Sequence, residues 1–318
     1  MIGAGSVARR HIDVLTRLPD VRIVAVADPV AASAESVAAG CGARPFTSVD
    51  DALDSGPADA AYVCVPPFAH GAPEEAVLDR RLPMFVEKPV AIDLPTAERL
   101  SERVLQAGVV TGTGYHWRCL DVVDIARDLL RQAPAVLANG YWLDKRPPVA
   151  WWGWMNRSGG QVVEQLTHVL DMARFLLGEA EQVYAAAGRS VGSDPQAGDV
   201  DDATAATVRF DTGAVATFSA TSLLSAKHTA GLRTVSRGLL LELSETGLLV
   251  NDGGAPRAHS SEEDPKVRVD ADFIAAVRGE TDRTQTRYED VVQSHRLACA
   301  VAESAATGQP VSLTPCQP

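Results

Sequence analysis

The sequence predicts an α/β protein of two domains, in which a domain of alternating strands and helices is followed by an α+β domain with a mostly antiparallel open sheet. Strand-like and helix-like segments alternate over residues 1–115, and short strand-like segments separated by Gly and Asp fill residues 182–250. With 318 residues, 46% of them hydrophobic, the chain can form two cores. The pattern changes near Arg118, which predicts domains at residues 1–117 and 118–318.

The first domain is predicted to contain a parallel sheet with helices between its strands. Its strand-like segments are Val21–Ala27, Ala60–Val65, Pro83–Val86 and Val109–Thr113. The helix-like segments between them are Ala31–Ala39, Gly71–Arg80 and Pro95–Gln106. Residues that directly follow the strands are therefore expected at the carboxyl edge of the sheet, where open α/β folds bind ligands.

The second domain combines helices with short strands. Gly160–Leu177 is predicted to be the longest amphipathic helix of the chain, closed by Gly178. Asp211-Thr212-Gly213 predicts a hairpin turn. The other predicted elements are a helix at Leu120–Arg131, a strand at Ala135–Leu143, a loop at Ser261–Val267 and helices at Asp270–Val277 and Tyr288–Thr307.

The chain opens with a glycine-rich turn, Gly3-x-Gly5-x-x-Ala8, that leads into a helix-like segment. A turn of this kind is typical of a Rossmann dinucleotide-binding domain. Its glycines let the backbone approach a pyrophosphate, and the helix N-terminus at Ser6 and Val7 offers N–H groups and a positive dipole end. A glycine-rich loop without a ligand is the alternative. The apolar face of this helix is predicted to contain Val7, Ala8, His11, Ile12 and Leu15.

Asp28 ends the next predicted strand, 23 residues after Gly5. A carboxylate at this place accepts hydrogen bonds from the ribose hydroxyls of a dinucleotide. No basic residue follows Asp28 until Arg44, so the 2′-phosphate of NADP would be repelled without local compensation. The sequence therefore favours NAD, with NADP as the alternative.

Only Met1 and Ile2 precede Gly3, although the strand before such a turn is normally central in the sheet. Without that strand, two neighbouring strands would have unpaired edges. We therefore expect the translated start to lie upstream, with Met1 at an alternative start codon inside the strand.

Glu87-Lys88-Pro89 follows a predicted strand and is expected at the carboxyl edge of the sheet. Pro89 restricts Lys88 to extended geometry, and the bond between them can be cis. Lys88 is one of only four lysines among 29 basic residues, and lysine, unlike arginine, can release its proton. Lys88 can therefore hold a substrate hydroxyl beside a nicotinamide and assist its deprotonation. A surface Glu–Lys pair at the end of a strand is the alternative.

Five motifs follow one another along the chain. They are Gly3-Ala4-Gly5, Val65-Pro66-Pro67 with His70, Glu87-Lys88-Pro89, Gly114-Tyr115-His116-Trp117-Arg118, and Gly159-Gly160 through His168 and Asp171. In this order they resemble the glucose–fructose oxidoreductase/inositol dehydrogenase (Gfo/Idh/MocA) family over nearly the whole chain. The resemblance implies NAD(P)-dependent chemistry at a hydroxyl-bearing carbon, with Pro66, His70, Glu87 and Lys88 at the cofactor. It also implies a homodimer or homotetramer formed through the C-terminal sheet.

The resemblance implies that Lys88, Glu164 and His168 form the catalytic set. Positions four apart share a helix face, so Glu164 and His168 can point into one cleft. A histidine that titrates near neutrality can take a hydroxyl proton as hydride leaves. The sequence departs from the family pattern, because Glu164 replaces an aspartate and Leu166 a glycine, which alters the pocket floor. A solvent-facing Glu–His pair is the alternative.

All five tryptophans fall within residues 117–154. Aromatic faces suit the apolar faces of sugars, and cations nearby can bind hydroxyls or a carboxylate. We expect substrate contacts from Trp152 or Trp154, with Arg157 and Tyr115. The alternative is that the rings seal an interface between domains or subunits.

The composition excludes several classes of partner. A net charge of −12 and a pI near 5.0 argue against nucleic acid. No apolar run approaches the length of a membrane span. Five scattered cysteines without CxxC spacing fit neither a disulfide framework nor a zinc site, so we expect a reducing cytoplasmic location and no metal.

The sequence thus predicts an NAD-dependent dehydrogenase that acts on a CH–OH group of a sugar, cyclitol or related polyol. Two alternatives stay open. One is an NAD-using glycosidase or lyase of the same fold, which would produce no net NADH. The other is a catalytically silent sensor or scaffold that binds a dinucleotide.

Overall fold

The computed structural model of the protein describes residues 1–190, 196, 198–281 and 284–313. It divides the chain into a first unit, Met1–His116 with Lys266–Val292, and a second unit, Trp117–Pro265 with Gln293–Pro318. The chain first passes from the first unit to the second after His116, one residue from the predicted boundary. Residues 266–292 correct the prediction that all of 118–318 forms the second domain, because Phe273 packs edge-on against Tyr62 and Phe85 in the first unit.

The first unit has the predicted alternation of strands and helices. Its strands are shorter than the apolar segments that predict them, because only the inner residues of each segment pair with neighbours. Its elements up to residue 116 are α1 (Ser6–Leu15), β1 (Ala25–Ala27), α2 (Ala31–Cys41), β2 (Arg44–Phe46), α3 (Val49–Asp54), β3 (Ala61–Val63), α4 (Ala72–Asp79), β4 (Met84–Val86), α5 (Leu94–Ala107) and β5 (Thr111–Thr113).

All strand pairs of the first unit are parallel: β1 with β2, β3 with β4, and β4 with β5. Ile2 lies between β1 and β3, with parallel bridges to Ala27 and Val63. Its backbone N–H donates to the carbonyl of Tyr62 at 2.7 Å, and its carbonyl accepts from Cys64 at 2.8 Å. The order is therefore β2, β1, Ile2, β3, β4, β5, which is the Rossmann order and puts the glycine-rich turn at the carboxyl edge of β1 and β3.

Helix α1 packs on this sheet through Ala8, Ile12 and Leu15, as predicted. His11 is also fully buried on this face. Val7 is exposed, which corrects its predicted place in the core: it lies about 100° around the helix axis from Ala8.

The second unit is built around one large sheet. Its elements up to residue 260 are α6 (Val122–Gln132), β6 (Leu137–Leu143), α7 (Met155–Ser158), a π-helical segment (Val162–Leu166), α8 (Thr167–Leu177), β7 (Ala180–Gly188), β8 (Ala203–Phe210), β9 (Val215–Thr221), β10 (Thr229–Ser236), β11 (Leu239–Ser244), β12 (Gly247–Asn251) and β13 (Arg257–Ser260). The predicted turn at 211–213 connects β8 to β9, where the N–H of Gly213 donates to the carbonyl of Phe210.

The last elements are α9 (Pro265–Val277), α10 (Tyr288–Thr307) and β14 (Val311–Ser312). The nine strands of the sheet are ordered β13-β12-β11-β10-β6-β9-β8-β7-β14, and every pair is antiparallel except β6 with β9. Helix α9 begins inside the segment predicted to be a loop. No helix in the described part of the chain combines the length and the apolar character that crossing a bilayer requires.

The helix predicted at Gly160–Leu177 differs from expectation in two ways. Val162–Leu166 has π-type bonding inside a helical run that starts at Gly160 as predicted, and α8 continues it from Thr167. It is also not the longest helix of the chain, because α10, with 20 residues, is longer. Short π-helical segments occur frequently at functional sites, and this one contains Glu164 and leads directly to His168.

Candidate active site

The glycine-rich turn has the geometry of a phosphate cradle. Gly3 has φ +93°, and a Cβ there would lie 2.2 Å from the carbonyl oxygen of Cys64, so only glycine fits. Gly5 precedes α1 without a side-chain cap, and a Cβ built on it meets no atom within 4 Å. The first turn of α1, which starts at Ser6 and Val7, contains no acidic residue. The N-terminal N–H groups of α1 are therefore suited to an anion.

Asp28 lies beside this turn, directly after β1. One carboxylate oxygen accepts a hydrogen bond from the N–H of Ala4 at 2.9 Å, and the other accepts from the N–H of Val30 at 2.9 Å. The two bonds fix the carboxylate next to the cradle. Because a carboxylate has about four acceptor positions, Asp28 retains capacity for ribose hydroxyls.

The loop after β3 contains half-buried Pro66 and buried His70. The Nδ1 of His70 lies 2.6 Å from the buried carboxylate of Glu74, whose other oxygen accepts from the N–H of Gly71 at 2.7 Å. Nδ1 therefore donates to this carboxylate, and in a neutral ring Nε2 is an acceptor. Nε2 is buried and has no hydrogen-bond partner in residues 1–190, 196, 198–281 and 284–313, so it is available to a donor from a ligand.

Glu87 lies at the carboxyl end of β4 and is buried. Its Oε1 accepts from Arg10 at 2.7 Å and from Nε2 of His11 at 3.0 Å, and its Oε2 accepts from the backbone N–H of Lys88 at 2.8 Å. The sequence predicts Glu87 as a cofactor contact, whereas its carboxylate here binds groups of the chain itself. The Lys88–Pro89 bond is cis.

His11 joins Glu87 to a second buried carboxylate, that of Asp270 from α9. The Nδ1 of His11 lies 2.7 and 2.9 Å from the two oxygens of Asp270. Burial alone would lower the pKa of His11, but hydrogen bonds to Asp270 and Glu87 raise it to about 9. Burial alone would raise the pKa of Glu87, but His11 and Arg10 lower it to about 2. An imidazolium between two carboxylates accounts for both shifts.

In the second unit, the π-helical segment and the start of α8 place Glu164 and His168. Glu164 accepts a hydrogen bond from the indole N–H of Trp152 at 2.9 Å. The buried ring of His168 stacks on Trp142 at 5.7 Å and on Trp117 at 6.3 Å, measured between ring centroids. Leu166, which replaces the glycine of the family pattern, is fully buried.

One cation lies at this aromatic group. Lys227 Nζ is 4.0 Å from the ring centroid of Trp142 and 2.6 Å from the carboxylate of Glu245. The indole N–H of Trp142 donates to the buried carboxylate of Asp144 at 3.2 Å. Trp142 thus contacts charged partners, while His168 packs against both indoles, which lie 6.1 Å from each other between centroids.

The residues expected to contact substrate divide into two groups. Trp154, which is 39% exposed, and Arg157 lie on the surface of the second unit at α7. Trp152 is buried and serves Glu164, and Tyr115 is fully buried in the core of the first unit. Both rings are buried in this structure, and a substrate role for Trp152 and Tyr115 stays a prediction.

Two buried pairs near the family motifs have structural contacts. Arg118 forms a bidentate pair with Asp171 at 2.6 and 2.9 Å, and Ser294 also donates to Asp171. Arg174 pairs with Glu179 through two hydrogen bonds. Asp171 and Arg174 thus have their side chains engaged by other groups of the second unit.

The sequence reasoning missed His11 and Asp270 as members of the Glu87 site. His11 occupies a position of the helical period that a core residue normally takes. The signal that could have identified His11 is a titratable side chain on an otherwise apolar helix face, because a buried group of this kind requires a hydrogen-bonding partner. Asp270 gave no signal, because the two residues are 259 positions apart.

Comparison with known proteins places this geometry in a family. Residues 1–115 match the family described as "Oxidoreductase family, NAD-binding Rossmann fold" (GFO_IDH_MocA), and residues 134–235 match the "GFO/IDH/MocA C-terminal domain". An uncharacterized oxidoreductase of Bacillus subtilis is 26% identical, with 98% of this chain and 95% of the relative covered.

Two further matches have names that state a reaction or a ligand. The scyllo-inositol 2-dehydrogenase (NAD(+)) of B. subtilis is 28% identical over 67% of this chain and 64% of its own length. Levoglucosan dehydrogenase, solved in complex with NADH, has a TM-score of 0.88 at 18% identity and covers 98% of each chain. With both domains matched and the fold shared, this chain is an NAD-binding oxidoreductase of the Gfo/Idh/MocA family.

Proposed function

We propose that the protein is a dehydrogenase that oxidises a hydroxyl-bearing carbon of a sugar, cyclitol or related polyol with NAD. The main support is that three features lie at one edge of the sheet. They are the phosphate cradle at Gly3 and Gly5, the fixed carboxylate of Asp28, and the Glu87-Lys88-Pro89 segment with its cis Lys88–Pro89 bond. Relatives named for inositol and levoglucosan support the substrate class.

The residues present fit a dinucleotide. Gly5 leaves the space a pyrophosphate needs, the N–H groups at Ser6 and Val7 suit its charge, and Asp28 suits a ribose diol. The buried Nε2 of His70, with Pro66 preceding it in the same loop, is an acceptor for a hydroxyl or an amide. Asp28 also supports NAD over NADP, because it would repel a 2′-phosphate.

When bound, NAD supplies the hydride acceptor. Lys88 holds and polarises the substrate hydroxyl, and His168 accepts the hydroxyl proton as the C–H bond breaks. Glu164, itself fixed by Trp152, orients these groups and the substrate. Trp154 and Arg157 precede Glu164 in the chain and are exposed. Trp154 binds the apolar face of the substrate, and Arg157 binds its hydroxyls.

We further propose a homodimer or homotetramer through the sheet. On β8 and β9, alternate residues are buried and exposed, and the exposed ones include Thr207, Arg209, Val215 and Thr217. An open sheet face of this kind suits a second copy. A cytoplasmic location stays a prediction. Cys41, Cys64, Cys119 and Cys299 are in no disulfide, and Cys316 lies outside the described residues.

The decisive experiment is a panel of cyclitols, aldoses and anhydrosugars, each incubated with NAD and with NADP. NADH absorbance and substrate consumption are followed together. We expect NADH from at least one polyol, with NAD preferred and one NADH formed for each substrate oxidised. Substrate loss without NADH would replace the proposal with a glycosidase or lyase, and dinucleotide binding without any turnover would replace it with a sensor.

A further inference from the structure

The buried cluster of Arg10, His11, Glu87 and Asp270 places His11 between two carboxylates. Both ring nitrogens face carboxylate oxygens, Nδ1 those of Asp270 and Nε2 that of Glu87. Ionised carboxylates only accept hydrogen bonds, so Nδ1 donates to Asp270. Nε2 lies 3.0 Å from Oε1 of Glu87 and 3.2 Å from Nη2 of Arg10, and the raised pKa of His11 favours the imidazolium form, in which Nε2 donates to Glu87. The guanidinium of Arg10 shares Oε1 of Glu87 with His11. Two positive and two negative groups therefore balance.

The surroundings hold the cluster in one arrangement. The ring of His11 contacts Phe85 at 5.1 Å and Tyr62 at 5.4 Å between centroids. A Cβ on Gly114 would lie 2.3 Å from Oε2 of Glu87, so this glycine provides the space for the carboxylate. His11 and Asp270 are completely buried. Arg10, His11 and the backbone at Gly114 therefore together fix the position of the Glu87 carboxylate.

The far end of the cluster is the backbone of Lys88. Oε1 of Glu87 faces inward to Arg10 and His11, and Oε2 accepts the N–H of Lys88 at 2.8 Å. A continuous series of charge-assisted hydrogen bonds thus runs from Asp270 through His11 and Glu87 to Lys88. Its first member belongs to α9, and its last is the residue proposed to hold the substrate hydroxyl.

Stability alone is a weak reason for such a cluster. Replacing buried ion pairs by apolar residues of similar volume is often neutral or stabilising. What apolar residues cannot supply is a carboxylate of fixed orientation beneath Lys88. Small misplacements of a reacting group cost as much as about a hundredfold in rate.

We propose that His11 and Asp270 are positioning residues that fix Lys88 through Glu87. The catalytic readout of this proposal rests on the proposed dehydrogenase function, whereas the position of Lys88 can be measured without turnover. The chain contains only four lysines, Lys88, Lys145, Lys227 and Lys266. Reductive methylation with ¹³C-formaldehyde therefore gives few dimethyl-lysine signals, which NMR resolves and a Lys88→Arg variant assigns.

The experiment compares the wild type, Asp270→Asn and His11→Asn with a control, Thr284→Val. Thr284 is a buried residue of the same unit, and its hydroxyl donates to the carbonyl of Thr111, away from the cluster. We expect both cluster variants to shift the Lys88 signal and leave those of Lys145 and Lys227 unchanged. The kcat should fall about 10- to 100-fold, with KM and the NADH Kd within about twofold. Asp270→Glu, which keeps the carboxylate, should recover part of the loss.

Histidine ¹⁵N NMR on the wild type adds a test that needs no variant, in case Asp270→Asn fails to fold. His11 should show two protonated ring nitrogens at neutral pH; a neutral ring would overturn the proposal. An unmoved Lys88 signal would also overturn it, as would a shifted signal with unchanged kcat. If the wild type oxidises no polyol, the proposed function fails on its own, and the Lys88 signal still decides whether the cluster positions this residue.

Discussion

Lys88 and His168, the two side chains proposed to act on one hydroxyl, are supported by different physical means. Below Lys88 in the first unit lie Glu87, His11 and Asp270, joined by hydrogen bonds of 2.7–3.0 Å between charged groups. In the second unit, His168 packs against the indoles of Trp117 and Trp142 in a cluster of three rings whose centroids are 5.7–6.3 Å apart. One support is ionic and directional, and the other is aromatic and mainly a matter of shape.

The difference has consequences for how each site fails. A buried ionic series loses its geometry when one member changes charge, because the remaining charges are left without partners. The two indoles that support His168 do not titrate, and they tolerate replacement by rings of similar size. The support of Lys88 should therefore respond to pH and to isosteric changes, whereas that of His168 should respond to changes in volume.

The largest effects should come from removing the two reacting side chains themselves. Lys88→Ala and His168→Ala should each lower kcat by about 10²- to 10⁴-fold, because each loses a proton-transfer or polarising group. Combining them should cost little more than either alone, since residues that act as a unit are not additive. Steady-state kinetics on the two single variants and the double variant measure this. Lys88→Arg, which keeps the charge but not the shape of the ammonium, should recover only part of the activity lost in Lys88→Ala; full recovery would mean that charge alone accounts for the role of Lys88.

The ionic support should make the free energy of unfolding depend on pH. The pKa of His11 is raised to about 9 from an ordinary 6.5, so its contribution is complete below pH 6.5 and is lost as the pH rises towards 9. The loss should amount to a few kcal/mol. Glu87, with its pKa lowered to about 2, loses its contribution only below pH 4.5. Burial raises the pKa of Asp270, against the hydrogen bond from His11, which lowers it.

Urea unfolding at pH 6 and pH 9 tests this dependence. Wild type and Thr284→Val should lose stability between the two values, and Asp270→Asn should show a flatter profile. An equal slope in all three proteins would place the pH dependence outside the cluster.

Trp152→Phe should have a smaller effect, confined to the second unit. It removes the indole N–H that donates to Glu164 while keeping most of the buried ring. A hydrogen bond to a charged group contributes about 1.5–3 kcal/mol, so kcat/KM should fall about tenfold or somewhat more. Trp151→Phe, on a neighbouring residue that is only half-buried, is the matched control. If both variants behave alike, the hydrogen bond to Glu164 does not contribute to catalysis.

Lys227→Met should give the smallest change. The ammonium over Trp142 contributes about 0.5–1 kcal/mol at an exposed site. We expect KM to change less than about fivefold with kcat unchanged, because Trp142 keeps its stacking on His168. A large fall in kcat would mean that charge, and not only shape, supports His168.

The order of strands and helices in the first unit follows from local pattern, because apolar runs, glycine turns and the residues after them are all short-range signals. Asp28, Glu87 and Lys88 were predicted at the carboxyl edge for the same reason. The hydrogen bonds that Glu87 forms were not predictable, since they depend on which helix packs over the end of β4.

The second unit was less predictable at the level that decides chemistry. Nothing in Val162–Leu166 distinguishes π-type from α-type bonding, because the choice depends on packing around the segment. Among five clustered tryptophans, local sequence did not indicate that Trp142 would stack on His168 while Trp152 became a buried donor. Burial of individual rings is a property of the whole fold.

Because residues 266–292 belong to the first unit, they affect when that unit can fold during protein synthesis. A nascent chain that has reached residue 117 contains the glycine-rich turn and Lys88, yet lacks Asp270 and Phe273, which complete the surroundings of His11. The first unit therefore finishes folding only after some 150 further residues of the second have emerged from the ribosome. A fragment that ends at the predicted boundary after residue 117 should consequently fold poorly, because it lacks residues 266–292 of the dinucleotide-binding unit.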